Sequence, residues 1–389
     1  MEKVSLNDTP SEKIYLKLNK KAIDFLLDKI KKENVNLFSP IELYRFKIGK
    51  KVSINFIKKI SKNLGLKISY FEKNMELITS CKNTNIGIKN PKFPINFNTK
   101  EGIRLISGII GDGEINNQLQ PGYNNQDKKL IEIILKSFQQ VFGKIDYKIY
   151  LRPDKTYQLH FPKIAGLILL KIGMKPGYKS ITNYGIPRFI FNTSKKKKSV
   201  FIKQFFNDEG NVRLKDRRLQ VKQTLKINKD KKEMRLNPEK YAHQVLVDTQ
   251  KLLSSLGIKS KIHLGNYRAD EKKADWELDI YCKENLEKFQ KYIGFDLDYK
   301  NNLLDKAIKS YKFPSAPRNG RINFALNHFQ KVQDRYGFVT KYLLAKESKR
   351  SARTTICFLM DLEKRKLIKK IERPRDKLGH PKAVKYSLV

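Results

Sequence analysis

Acidic residues are scarce in this chain. Its 389 residues include 39 Asp and Glu against 82 Lys and Arg, for a formal net charge of +43 and a pI of about 10.0. A coding bias toward Lys, Asn and Ile would raise the lysine count, but it would not thin the acids. A polyanion partner is the better account. Cysteine is scarce too. Cys81, Cys282 and Cys357 are odd in number and far apart, which excludes a disulfide frame and a zinc cluster and points to reduced thiols. The one tryptophan, Trp276, reads as core or sheet edge rather than a base-stacking residue. The five histidines (His160, His243, His263, His328 and His380) show no metal spacing and read as surface or sheet residues. No serine or cysteine triad is suggested. No run is long and apolar enough to span a bilayer, and the N-terminus carries no secretory pattern. No membrane association is expected, and a cytoplasmic, nucleoid-associated protein is. The length predicts two or three domains.

Two stretches of one kind stand out in this background. Leu105-Ile-Ser-Gly-Ile-Ile-Gly-Asp-Gly113 and Phe201-Ile-Lys-Gln-Phe-Phe-Asn-Asp-Glu-Gly210 each read as an apolar helix ending in a carboxylate and a glycine. Gly113 and Gly210 stand where a helix C-terminus favours a left-handed residue. Asp112 and Glu209 would then sit at the last turn, where backbone carbonyls already make the field negative. A cation would relieve that cost, and two such acids together would make a hard-oxygen site suited to Mg²⁺. The plainer alternative for each acid is a helix end beside a helix–helix interface, with no metal.

The paired stretches resemble the LAGLIDADG family of homing endonucleases in its single-chain, two-motif form. The flanks extend the resemblance over roughly residues 95–310: Gly122-Tyr-Asn-Asn-Gln-Asp, Tyr157-Gln-Leu-His-Phe-Pro162, Ile172-Gly-Met-Lys-Pro-Gly-Tyr-Lys-Ser180 and Ile186-Pro187. The resemblance implies an α+β fold of two pseudo-symmetric αββαββα repeats forming a DNA-binding β-saddle. It also implies that Asp112 and Glu209 hold Mg²⁺ (or Mn²⁺) between them, with a basic side chain nearby. Lys179 and Lys300 are the nearest matches by position. The family prefers Gly or Ala at the third motif position, where the two helices touch. Ser107 is acceptable there, whereas Gln204 departs from the pattern and predicts a wider or hydrogen-bonded contact.

The chain divides into four regions. Residues 1–95 are lysine-rich and read as largely helical. Ile41–Lys51 continuing into Val52–Gly65 resembles a repressor-like helix-turn-helix, with Arg45, Lys47 and Lys50 facing DNA; a plain helical lead-in with a basic face is the alternative. Residues 82–99, with Pro91 and Pro94, read as a linker. Residues 96–200 and 201–313 are the two repeats, joined through Asn192–Lys198, which reads equally as a solvated loop or a phosphate contact. In the first, Lys128–Val141 is predicted as a helix, Ile145–Leu151 and Thr156–Phe161 as a hairpin, and one strand cannot be placed. In the second, Lys240–Leu256 is predicted as a helix. Val212–Lys215 and Arg218–Lys226 alternate apolar with basic or amide residues. One face thus carries Arg213, Lys215, Arg218, Gln220, Lys222 and Thr224, types that read base edges and phosphates, and the absence of acids there favours DNA contact. Residues 314–389 resemble a winged helix-turn-helix, with Arg353 and Thr354 opening the recognition helix and Arg373–Lys382 as the wing. A C-terminal packing domain is the alternative.

The expected function is a monomeric, site-specific endonuclease acting on double-stranded DNA at a long pseudo-palindromic site, from an intron or other mobile element, archaeal in type. The chain lacks the terminal His-Asn that protein splicing needs, so an intein is disfavoured. A non-cleaving DNA-binding regulator built on the same fold is the main alternative. An RNA maturase is a further one, although no aromatic-rich single-strand platform is evident.

Overall fold

The computed structural model describes residues 1–10, 13–33, 39–311, 320–374 and 383–389. They divide into two units, Met1–Tyr281 with Asn285–Leu304, and Cys282–Glu284 with Asp305–Val389.

The larger unit holds two copies of one chain order. Helix Lys100–Ile110 leads to strands Gly113–Ile115 and Pro121–Asn125, helix Lys128–Phe142, strands Lys148–Leu151 and Tyr157–His160, and helix Lys163–Lys171. The second copy runs through helix Lys195–Glu209, strands Gly210–Arg213 and Arg218–Lys226, helix Gln244–Ser255, strands Ser260–Arg268 and Lys273–Ile280, and helix Lys283–Tyr292. Each copy closes a four-stranded antiparallel sheet in which the second and fourth strands are central and the first and third are at the edges. Pro121–Asn125, the strand the sequence leaves unplaced, has no clear alternation. Pairing on both sides, with Gly113–Ile115 and Tyr157–His160, holds it in place. Leu219, Val221, Leu225, Trp276, Leu278 and Ile280 point inward from the second sheet, and Trp276 is fully buried, so it is core. The helix expected over Lys240–Leu256 breaks into Pro238–Tyr241 and Gln244–Ser255. His243 takes the N-cap of the latter, with a ring nitrogen accepting the Val245 N–H at 3.4 Å.

The two motif helices, Lys100–Ile110 and Lys195–Glu209, pack against each other. Ser107 is fully buried and its Oγ donates to the Phe201 carbonyl across the contact at 2.7 Å. Gln204 is also fully buried, and its amide donates to Asp208 Oδ1 at 2.9 Å. The Gln204 amide is thus bonded to Asp208 along its own helix, and the hydrogen bond across the helix contact comes from Ser107.

The glycines next to the acids behave differently from expectation. Neither Gly113 nor Gly210 has a positive φ, and Gly210 is extended at φ −81°, ψ 134°. They are needed for space. The chain turns directly into a strand across the helix's own last turn. A Cβ on Gly113 would lie 2.5 Å from Ile109 Cα, and one on Gly210 would collide with the Phe206 carbonyl oxygen.

The N-terminal region mixes strands with its helices. Lys20–Lys32, Pro40–Lys47, Ile54–Asn63 and Ile68–Lys73 are helical. Strand Val52–Ser53 lies between the second and third helices and pairs with Tyr15–Leu18. These strands belong to a five-stranded sheet ordered Val52–Ser53, Tyr15–Leu18, Met75–Thr79, Ile88–Lys89, Lys144–Ile145. Residues 82–99 are thus no free linker. Ile88 and Lys89 pair with strands on both sides, one of them from the first repeat, and Ile88, Ile95 and Phe97 are fully buried. Burial of three isolated apolar residues carries no periodic signal, so the sequence hid it.

The smaller unit packs helices Arg321–Tyr336, Lys341–Ser348 and Ala352–Lys364 with the hairpin Ile368–Glu372/Lys385–Leu388 around Phe329, Val332, Leu344, Phe358 and Leu362. Ser351 caps the third helix, accepting the Thr354 N–H. The boundary residues Pro314, Pro317 and Asn319 and most of the expected wing, 375–382, lie outside the described residues.

Sterics, rather than a left-handed backbone, should govern the motif glycines. Gly210→Ala and Gly210→Asn are expected to lose stability about equally, on the order of 1–3 kcal/mol by urea unfolding. At a left-handed position Asn is the best substitute for glycine, so clear rescue by Asn would contradict the steric account.

Candidate functional site

The helix ends carry the chemistry. An α-helix leaves its last carbonyls without intrahelical partners, and here side chains reach them from outside. At the first motif, the Tyr184 hydroxyl donates to the Ile110 carbonyl at 3.1 Å, and the Lys179 ammonium donates to the Gly111 carbonyl. At the second, Lys300 Nζ donates to the carbonyls of Phe206, Asn207 and Gly210 at 3.3, 2.5 and 2.8 Å. Each motif helix therefore ends on one lysine. These are the two lysines that the family resemblance singled out.

Asp112 and Glu209 occupy matching places beside these lysines. Asn125 donates to Asp112 Oδ2 at 2.6 Å, and Gln223 hydrogen-bonds Glu209. Asn125 lies 13 residues after its acid and Gln223 lies 14 after its own. Burial raises the proton affinity of Asp112, opposed by Lys179. Burial likewise pushes Glu209 up to about 7, with the Asp112 charge adding to the rise and Lys179 opposing it. Both lysines are lowered by their own desolvation and held back by the neighbouring carboxylates. Asp112 and Lys300 line a cavity of about 490 Å³ together with Asn125, Asp127, Asn207 and Asp208. The donor set is carboxylate and amide oxygen, which fits a hard divalent cation.

Several residues here were not found from the sequence. Tyr123 donates to Asp208 Oδ1 at 2.7 Å, and Gln204 donates to the same oxygen. His243 was expected at the surface or in a sheet. It is fully buried instead, edge-on to Tyr184, with Nε2 3.2 Å from the Lys179 carbonyl. Burial pushes its pKa down to about 4, so it is neutral and acts to hold the Lys179 backbone. The only sequence signal for Asn125 and Gln223 was an amide at near-equal distance after each motif acid.

The second sheet corrects another expectation. Strand Arg218–Lys226 does carry Gln220, Lys222 and Thr224 on its outward face, but the adjoining strand puts Asp275, Glu277 and Asp279 opposite them. Arg218 pairs with Asp279 at 2.5 Å and Lys222 with Asp275 at 2.9 Å. Gln220 donates to Glu277 at 2.7 Å and to Asp279 at 3.0 Å. Arg213 bonds Asp216 at the turn, whereas Lys215 is exposed. The face read as free of acids from one strand alone is laced with them. His263, Glu277 and Asp279 bring three potential ligand atoms within 4.8 Å of one another, despite the lack of metal spacing in the sequence. Their carboxylates already accept from Arg218, Gln220 and His263. The trio is accounted for as an ion-pair network.

The remaining nucleic-acid candidates are dispersed. Lys47, at the end of helix Pro40–Lys47, and Lys50, just beyond it, are exposed, whereas Arg45 is half-buried and donates to the Lys51 carbonyl at 3.3 Å. In the smaller unit Arg353 is exposed, and the Thr354 hydroxyl lies 2.9 Å from Ser351 Oγ. Among the described residues no helix is long and apolar enough to cross a membrane.

Residues 196–294 match the family model described as the LAGLIDADG-like domain. Two curated relatives align over 57% of the chain: the probable translation initiation factor IF-2 of Thermococcus kodakarensis, 27% identical, and that of Methanocaldococcus jannaschii, 28% identical. The chain spans less than a fifth of either, 16% and 18% of their lengths. Among solved structures, the homing endonuclease I-DmoI in complex with DNA and Mn aligns with 51% of this chain and 98% of its own, at 18% identity and a TM-score of 0.32. Full-length DUF199/WhiA from Thermatoga maritima aligns with 68% and 91%, at 11% identity and a TM-score of 0.35.

The electrostatics lead to two expected outcomes. A raised Glu209 pKa means stability that is full below about 4.5 and is lost as pH rises through about 7. Glu209→Gln should therefore melt several degrees above the parent at pH 8 in EDTA, with the gap closing at pH 5. Arg218→Ala should cost on the order of 1–3 kcal/mol in chemical unfolding by removing the guanidinium from the largely buried Asp279 and leaving it chiefly the Gln220 amide, whereas Lys215→Ala should leave stability unchanged.

Proposed function

We propose that this chain, a LAGLIDADG-family protein whose residues 196–294 match the LAGLIDADG-like domain, is a site-specific endonuclease for double-stranded DNA. The observation that carries the reading is the matched pair of helix ends. Each has one carboxylate, one amide donor on that carboxylate, and one lysine on the terminal carbonyls. Asp112 and Glu209 would hold Mg²⁺ (or Mn²⁺). When bound, the cation would lower the pKa of an attacking water and stabilise the entering and leaving oxygens of the phosphodiester. Asn125 and Gln223 orient the carboxylates. Lys179 and Lys300, fixed on backbone oxygens, keep positive charge beside the reacting phosphates, and desolvation makes their protons easier to give up. Two such ends related by a pseudo-twofold imply one cut per strand and a long, imperfectly palindromic target, bound by one chain. Lys47, Lys50, Lys215 and Arg353, exposed and basic, are the proposed phosphate contacts, with Arg45, Arg213 and Thr354 beside them. Arg218, Gln220 and Lys222 would have to exchange acid partners for DNA, which makes them contributors to specificity rather than to bulk affinity.

A non-cleaving DNA-binding regulator is the second reading. The three-helix-and-hairpin unit after residue 305 favours it, because such a unit could contact DNA without chemistry.

The deciding experiment is a cleavage selection on a randomised duplex library in Mg²⁺, Ca²⁺ or EDTA, with ends mapped at nucleotide resolution. Defined double-strand breaks in Mg²⁺ alone are expected. In the double variant Asp112→Asn, Glu209→Gln, cleavage should fall to background with duplex binding retained. Full cleavage by that variant would sink the proposal, and duplex capture with no breaks in any arm would leave the regulator. Binding should also weaken steeply with salt.

A further inference from the structure

We propose that Asp208 is a third carboxylate of the cation centre. This rests on the reading of Asp112 and Glu209 as a cation site, and goes beyond it. Asp208 stands in the second motif where Gly111 stands in the first, immediately before the acid. Its two oxygens are treated differently. Oδ1 accepts from the Tyr123 hydroxyl at 2.7 Å and from the Gln204 amide at 2.9 Å. Oδ2 is buried and has no partner. It lies against Gly111, close enough that a Cβ there would collide with it, and so next to the residue that precedes Asp112. Asp208 also lines the cavity that Asp112 and Lys300 line.

A buried carboxylate oxygen without a donor is costly, and among the described residues no group donates to this one. The nearest cations, Lys179 and Lys300, are turned to helix-end carbonyls. Asp112 and Asp208 thus line one cavity with Lys300, and Glu209 and Lys179 are close enough for their charges to act on Asp208. A divalent cation supplies both the missing partner for Oδ2 and the missing positive charge. Gly111 is small because Asp208 fills the space a side chain there would need. Only the second motif carries an acid at this position, so the centre is asymmetric, and its two halves should bind cations unequally.

The test is Mn²⁺ titration of the full chain without DNA, by calorimetry, on the parent and on Asp208→Asn, Asp112→Asn and Glu209→Gln. Melting in EDTA checks that each variant is folded. Asp208→Asn keeps the shape and is expected to weaken Mn²⁺ by about 10–100-fold. Asp208→Ala, which removes the carboxylate without adding a donor, should do the same. If Asp208→Asn is unfolded in EDTA, Asp208→Ala decides. Parent-like Mn²⁺ affinity in a folded Asp208 variant, with Asp112→Asn weakened, overturns this inference alone. Parent-like affinity in Asp112→Asn and Glu209→Gln overturns the cation site itself.

Discussion

Contact between two helices governs this molecule. Lys100–Ile110 and Lys195–Glu209 meet through Ser107 and the Phe201 carbonyl, with Gly111 beneath Asp208. Close packing depends on small residues where the backbones approach. It also brings together two helix C-termini, whose unpaired carbonyls and dipoles repel the acids next to them. Lys179 and Lys300 answer the carbonyls, and Asn125 and Gln223 answer the carboxylates. The site is therefore a by-product of how the two repeats join, and neither repeat contains it alone.

Under the proposed function that arrangement separates binding from chemistry. Excess positive charge is spread over the surface, where it would serve long-range attraction to a polyanion. Two groups of acids stand out, at the helix junction and on the second sheet. At the junction they are buried and incompletely neutralised, which suits a cation. On the second sheet they are matched one for one by Arg218, Lys222 and the Gln220 amide. Such a pre-paired face has weak attraction for phosphate and strong demands on geometry, so its partners must replace bonds already made.

The supporting layer explains residues that looked unremarkable in the chain. Tyr184 and His243 hold the first motif's end and the Lys179 backbone. Neither hydrogen-bonds a candidate cation ligand; one fixes the carbonyl of Ile110, two residues before Asp112, and the other the backbone of Lys179, whose charge opposes the rise of the Asp112 pKa. Their role depends on a neutral imidazole, and burial enforces that state.

The sequence alone determined the features that repeat within the chain and those set by local periodicity. The two motifs and much of the strand–helix order after each were legible from spacing and periodicity within about one repeat, whereas the pairing of Asp112 with Glu209 and the choice of Lys179 and Lys300 as their neighbours were what the family resemblance implied. Tertiary structure decided the features that depend on partners distant in sequence. It put Asp275, Glu277 and Asp279 across from the basic strand, drew Ile88–Lys89 into a sheet shared with the first repeat, and buried His243 behind Lys179. It also decided why Gly113 and Gly210 are glycine, since the obstacle is the preceding helical turn, which the chain meets only once it folds back into a strand. A residue's own neighbours set its helix or strand preference, whereas its charge balance and free space are set by whatever the fold brings against it.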